Sequence, residues 1–162
     1  MKIKIFALLI ASTFIFTSCG DGKKKEDVPA KEEPAKEEVT TTSEKIDLTA
    51  PTLDNKGVGP VKNLTLDAID EKLAEKGKEL YKTNCTTCHK FKKKVVGPPL
   101  KGVTKRRSPE WIMNMMLNPE VMVEKDPVAK ALLTEYLSPM SNQSLAEDDA
   151  RAILEYFRLK DK

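Results

Sequence analysis

Histidine is all but missing from this chain: His89 is the only one in 162 residues. A lone imidazole excludes a centre held between two histidines of the same chain, and it excludes a second histidine acting as acid or base opposite the first. Cysteine is nearly as scarce, with Cys19, Cys85 and Cys88 the full set. A structural zinc site uses four Cys or His ligands, and with Cys19 engaged elsewhere, as argued below, the chain offers three. No apolar run approaches the ~20 residues that span a bilayer as a helix; the stretch over 5–15 falls well short. Charge of one sign is also lacking. Lys and Arg number 28 against 25 Asp and Glu, a net of +3, and with no recognition motif beside it that balance argues against nucleic acid as a partner. No segment reads as a strand, and no internal repeat is present.

What is present is concentrated in five residues, Cys85-Thr86-Thr87-Cys88-His89. A Cys-x-x-Cys-His run is the attachment site of a c-type haem. The two thiols add to the vinyl groups as thioethers, and the adjacent imidazole is placed to bind iron as the proximal ligand. A thioredoxin-like dithiol would need a strand ahead of the motif in a βαβ unit, whereas the preceding residues have a helical pattern. A Cys85–Cys88 disulfide would close a very tight loop and leave His89 unexplained. The expectation is one covalent haem c on Cys85 and Cys88, with His89 on its iron.

The N-terminus reads as an export signal. Lys2 and Lys4 precede the apolar run over 5–15, and Phe16-Thr17-Ser18-Cys19 follows. This pattern resembles a bacterial lipoprotein signal, in which Cys19 becomes the lipidated first residue; an ordinary secretory signal with an incidental cysteine is the alternative. Under either reading the domain leaves the cytoplasm. From residue 20 to about 49 the chain is rich in Lys, Glu, Pro and Thr and offers almost nothing to bury, so its ordering entropy is not offset. It reads as a solvated tether rather than a binding tail, and residues 20–60 as a flexible chain reach roughly 35 Å. The expected organisation is a signal peptide at 1–18, lipidated Cys19 and tether at 19–59, and a folded domain at 60–162. That domain should sit on the periplasmic side of the envelope, anchored to a membrane through Cys19.

Within the domain, Ile69, Leu73, Leu80 and Tyr81 fall on one stripe and predict a helix over 67–82. Gly77 lies inside it, where glycine costs about 1 kcal/mol relative to alanine; either another helix approaches closely there or it is a tolerated surface position. Ser108-Pro109-Glu110 places a cap and a proline at a first turn, opening a helix from Trp111 that stops at Asn118-Pro119. Asp126-Pro127 repeats the device for a helix to about Tyr136. Ser144-Leu145-Ala146-Glu147 has the form of a capping box. Behind it Ala146, Ala150, Ile153, Leu154 and Phe157 define the apolar face of a last helix ending near Leu159.

In order along the chain, Gly77-x-x-x-Tyr81, the Cys85 to His89 motif, Gly97-Pro98-Pro99-Leu100-x-Gly102, a distal methionine and an aromatic-rich last helix resemble a class I cytochrome c over roughly residues 64–160. The resemblance implies an all-α fold of about four helices wrapped around one covalent haem, and an electron carrier rather than an enzyme. It implies that Gly77 and Tyr81 pair with Leu154 and Phe157 where the first and last helices cross. It also implies that the carbonyl of Pro98 accepts from the free N–H of the proximal imidazole, orienting it. Gly57-Val58-Gly59-Pro60-Val61-Lys62, Lys105-Arg106-Arg107-Ser108-Pro109-Glu110-Trp111 and Ser138-Pro139-Met140-Ser141-Asn142-Gln143 further resemble monohaem lipoprotein cytochromes of Bacteroidota-type bacteria, some of which accompany nitrous oxide reductase.

The second iron ligand cannot be histidine. Met113, Met115 and Met116 fall in the short Trp111 helix, where methionine usually fills core; Met122 and Met140 remain open, and the resemblance implies Met140. His/Met ligation raises the reduction potential. Lys90, Lys92, Lys93 and Lys94 follow the haem motif, and Lys101, Lys105, Arg106 and Arg107 follow the Gly-Pro loop. They read as a positive rim steering a redox partner with an acidic docking surface, as propionate donors in the case of Arg106, Arg107 and the Trp111 indole, or as a solvated loop. The chain is expected to be a monomer. The alternative to a carrier is a haem protein open to a small ligand or peroxide, with Met140 absent from the iron.

Overall fold

The computed structural model describes residues 46–162. The expected signal peptide, lipidated Cys19 and most of the tether fall in residues 1–45 and lie outside the described residues. Six helices follow in chain order: α1 (Glu71–Asn84), α2 (Val103–Arg106), α3 (Pro109–Leu117), α4 (Pro119–Lys125), α5 (Pro127–Tyr136) and α6 (Glu147–Asp161). Among the described residues the one strand-like feature is an isolated bridge between Thr52 and Arg107. The all-α expectation stands, with six helices in place of about four. None of them is long and apolar enough to cross a membrane.

Asp67 and Asp70 both suit the N-cap of α1, and the chain uses Asp70, whose carboxylate accepts from the Leu73 N–H at 3.0 Å. The Asp67 carbonyl instead accepts from Arg158 at 2.7 Å, so the helix starts later than expected. Its buried face is also narrower than the predicted stripe: Ala74, Gly77 and Tyr81 are inside. Small residues belong there because α6 crosses at that point, and α1 against α6 is the most extensive helix contact in the domain. A Cβ on Gly77 would collide with the Ala152 carbonyl and lie 2.9 Å from the Ile153 nitrogen. Gly77 is therefore the close-approach residue, not a tolerated surface glycine. One turn on, Tyr81 meets Phe157 edge-on at 5.9 Å, and Leu154 is wholly buried.

The Ser-Pro and Asp-Pro signals form as expected. Ser108 Oγ accepts from the Trp111 N–H at 3.1 Å to open α3, and Asp126 Oδ1 accepts from the Ala129 N–H at 2.8 Å to open α5. Asn118-Pro119 both ends α3 and starts α4, so the stop signal concealed a new helix. The four-residue α2 has no cap of its own. Asp161, at the far end of α6, accepts from the N–H groups of Gly102 at 2.6 Å and Thr104 at 3.1 Å. That service carries α6 two residues past the expected end.

The capping box at Ser144 does not form. Ser144 adopts φ 53° and its N–H donates to Asn142 Oδ1 at 2.8 Å, while α6 begins with Ala146 as N-cap and no side-chain cap. In the loop ahead of α6, Ser138, Pro139, Met140, Ser141, Gln143 and Leu145 contribute to a cavity wall, and that packing sets the backbone ahead of the helix. Glu147, Asp148 and Asp149 still occupy the first turn, where they favour the helix dipole.

The folded unit also begins earlier than residue 60. Leu48 packs against the core, the Thr52 N–H donates to the Arg106 carbonyl at 2.8 Å, and Ser108 Oγ donates to the Asn55 carbonyl at 2.6 Å. The fully buried Asn114 amide reaches the carbonyls of Lys56 and Val61 at 3.0 and 2.8 Å and accepts from the Val61 N–H at 2.9 Å. This arm is held mainly through its own backbone, which a reading of side-chain hydropathy does not detect.

On the other side of the domain, the fully buried Glu155 carboxylate accepts from Arg151, from Arg158 at 2.8 and 2.9 Å, and from the Asp70 N–H at 3.0 Å. Burial opposes its ionisation, but these hydrogen bonds outweigh burial and hold the carboxyl below its usual range. A depressed folded-state pKa stabilises the fold above the unfolded value of about 4.3, and that stability is lost as pH falls through the folded value. Glu155→Gln should cost about 3 kcal/mol at pH 7. In urea unfolding followed over a pH series, its deficit relative to the parent protein should shrink below about pH 4.

Candidate functional site

The haem-binding motif grows directly out of the end of α1. Cys85 is the C-cap residue, its N–H bonded to the Tyr81 carbonyl at 2.9 Å. The Cys88 and His89 N–H groups then return to the Cys85 carbonyl at 3.1 and 2.9 Å. This turn brings both thiols and the imidazole to one cavity of about 680 Å³, within the usual 300–1,000 Å³ of cofactor sites. The other walls come from the Gly-Pro loop, α3, α5, the loop ahead of α6, and Phe157 of α6.

His89 is held from two sides. Its Nδ1 lies 3.0 Å from the Pro98 carbonyl oxygen. A carbonyl can only accept, so Nδ1 carries the proton and Nε2 is left as the nitrogen free for a metal. Gly97 backs the ring, and a Cβ there would fall 2.9 Å from Nδ1 and 3.0 Å from Nε2. The loop that supplies both residues is pinned to the motif through the Gly97 N–H to the Cys88 carbonyl at 2.9 Å and the Leu100 N–H to the Lys90 carbonyl at 3.0 Å. Tyr81 closes the arrangement by donating its hydroxyl to the His89 carbonyl at 3.1 Å.

Cys85 and Cys88 are not joined to each other, so no disulfide closes the tight loop between them. Burial, with the neighbouring Cys88 second, pushes the Cys85 thiol up to about 11. A redox-active or metal-binding cysteine needs its pKa lowered toward the thiolate, and burial of Cys85 does the reverse. Among the described residues no group of three or more His, Cys, Asp or Glu side chains could hold a metal ion by itself. Two thiols flanking an oriented imidazole at the edge of an apolar cavity fit a thioether-linked haem.

All the expected cofactor residues line this one cavity: Cys85, Cys88, His89, Pro98, Arg106, Arg107, Trp111 and Met140. Two of them carry different hydrogen bonds from those expected. The Trp111 indole N–H donates to buried Asp126 at 3.0 Å, so it is not a free propionate donor. The Arg107 guanidinium is turned to the backbone, giving bonds to the carbonyls of Leu48 at 2.7 Å, Ala50 at 2.8 Å and Arg106 at 2.9 Å. Arg106 donates to the Lys101 carbonyl at 2.7 Å and keeps its place beside Lys92 and Lys101 in the cavity wall. Lys94 is drawn over the Tyr136 ring, 4.3 Å from its centre.

The methionines separate by environment. Met122 is wholly buried, its sulfur accepts from the Val58 N–H at 3.0 Å, and it is not among the residues lining the cavity. Met113 is core. Met115, Met116 and Met140 reach the cavity, and of these only Met140 stands on a loop. Leu48, Thr49 and Phe91 also line the cavity and were not evident from the sequence. Phe91 had a usable signal, since it sits two residues past the motif and joins Tyr81, Tyr156 and Phe157 in an aromatic cluster with centroids 5.2 to 6.3 Å apart. Leu48 and Thr49 had none.

No curated protein matches the chain. Among solved structures it is similar to a cytochrome c from Rhodothermus marinus, with 48% identity and a TM-score of 0.63 over 64% of this chain and 90% of that one. An engineered form of that cytochrome, Rma TDE, matches at 47% identity and a TM-score of 0.62 with the same coverage. The engineered protein bound to a carbene intermediate matches at 48% and 0.60, again over 64% and 90%. The family described as Cytochrome c matches residues 74–159, more than half of the chain, from the α1 face that meets α6 through the whole cavity. The chain therefore belongs to the cytochrome c family, has the class I fold, and is a haem electron-transfer protein with covalently bound haem c.

Proposed function

We propose that the haem iron is held between His89 and Met140, and that the protein is a monomeric carrier of single electrons. Its route runs from a membrane oxidoreductase to a terminal reductase, such as nitrous oxide reductase, or to an oxidase. The observation that carries this reading is the pairing of an oriented imidazole with a loop-borne thioether in a cavity that contains no second histidine. The haem, when bound, supplies a one-electron couple, and thioether ligation shifts it to high potential. The residues of the chain do the rest. Pro98 and Gly97 fix the imidazole, the apolar walls exclude water, and among the described residues lining the cavity there is neither a second histidine nor a carboxylic acid for peroxide chemistry.

Partner choice follows from charge. Lys92 and Lys101 are exposed at the cavity wall, with exposed Lys93 and Lys105 near them in the chain, which favours an electron donor or acceptor with an acidic face. Lipidated Cys19 and the tether would keep the domain at the periplasmic face of a membrane, within reach of such partners. The test is stopped-flow mixing of the ferrous holoprotein, in one arm with carbon monoxide and in the other with an acidic redox protein over a salt series. Carbon monoxide should leave the native spectrum unchanged, and electron transfer should slow steeply with ionic strength. Rapid carbon monoxide uptake points instead to an open site, and a salt-independent rate removes the acidic partner.

A further inference from the structure

One wall of the haem cavity is built by the chain ahead of the family-matched region. Leu48 and Thr49 line the cavity, although the family match starts at residue 74. They are anchored there by backbone. Arg107 Nη2 donates to the Leu48 carbonyl at 2.7 Å and its Nη1 to the Ala50 carbonyl at 2.8 Å. The Thr52 N–H bonds to the Arg106 carbonyl at 2.8 Å in the isolated bridge. Arg107 is 4% exposed, and its guanidinium lies over the Trp111 ring at 5.7 Å, so the fork has a fixed platform. Two carbonyls at different points of one segment suit a planar, multi-donor guanidinium and not a lysine ammonium.

The geometry points to residues 48–52 as a strap over the haem cavity, with Arg107 as the positioning residue that holds it closed and thereby limits water at the cofactor. This inference rests on haem occupying the cavity and is independent of which methionine is the second ligand. Its consequence is electrochemical. The oxidised iron carries one more positive charge than the reduced iron, and water stabilises the more charged form. A loosened strap therefore lowers the reduction potential, through the solvent exposure that sets haem potentials together with the ligands.

The test uses full-length holoprotein in two forms. Arg107→Lys keeps the charge but cannot grip both carbonyls. A second variant replaces residues 46–50 with a Gly/Ser segment of equal length and leaves Arg107 in place; the carbonyls remain, but the segment loses the Leu48 side chain that lines the cavity and the stiffness that keeps those carbonyls on the guanidinium. Each should shift the ferrous/ferric equilibrium about tenfold toward ferric, equivalent to ~59 mV for one electron. Each should also speed hydrogen exchange of the Thr52 amide, and the two combined should shift the potential no further than either alone. An unchanged potential in the Gly/Ser variant overturns the strap, whatever Arg107→Lys does. Additive shifts overturn it as well, because Arg107 would then act on the cofactor directly. If Arg107→Lys does not fold, the Gly/Ser variant decides alone, and a Thr52 amide that exchanges no faster in it counts against the proposal.

Discussion

Met140→Ala should abolish the weak long-wavelength sulfur-to-iron band of the ferric protein, open the ferrous form to carbon monoxide, and lower the reduction potential. The expected fall is on the order of 0.2 V, a fraction of the roughly 0.8 V that axial ligation spans. On the proposed His89/Met140 ligation, the size of the effect comes from exchanging a soft thioether for water on the iron, and so from chemistry at the metal and not from packing. Folding should change little by comparison, because Met140 is only half-buried and stands on an irregular loop. Met115→Ala and Met116→Ala provide the contrast. Both residues lie on α3, and truncating them should cost about 2–5 kcal/mol through the cavity left behind, with the band intact. A band that survives Met140→Ala and disappears with either of these moves the second ligand to α3.

Gly77→Ala should lower the stability of the holoprotein by about 2–3 kcal/mol, a fall of ~10–20 °C in Tm for a domain of this size. Two effects oppose one another at this position. Alanine is favoured over glycine in a helix by about 1 kcal/mol, and at an open surface site that gain would decide the sign. Here the added Cβ meets the Ala152 carbonyl and the Ile153 nitrogen. These are backbone atoms of a helix and cannot rotate aside, so α1 and α6 must separate along their whole contact. The loss should be visible in thermal or urea unfolding monitored at the haem, with Cys85 and Cys88 still covalently loaded. A variant as stable as its parent would refute the close crossing.

The parts of this protein that were legible in the sequence share one property: each signal and its physical partner lie within a few residues. Ser108 and Asp126 cap the turns they precede, and Cys85, Cys88 and His89 reach the cavity through one tight turn. Pro98, nine residues from His89, came from the resemblance to class I cytochromes and not from its own neighbourhood. The misread elements have distant partners. Helix α2 is capped by Asp161 from the end of α6, and the Trp111 indole is taken by Asp126 in the cap of another helix. Arg107 spends its fork on an arm more than fifty positions earlier. The Ser144 capping box failed because the loop ahead of α6 conforms to the cavity it lines and not to local cap geometry.

By itself, then, the sequence determined the cofactor chemistry and the helical class. A lone histidine beside two spaced cysteines admits very few kinds of centre, and helix periods and caps are short-range features of the chain. Tertiary structure alone decided which polar groups remain available. Arg107, Trp111 and Met122 each carry the right functional group for a role at the haem, and each is withdrawn to some degree by a bond to a residue remote in sequence. A hydrogen-bonding group has a limited number of donors and acceptors, and which of them are already used depends on where the rest of the chain has folded.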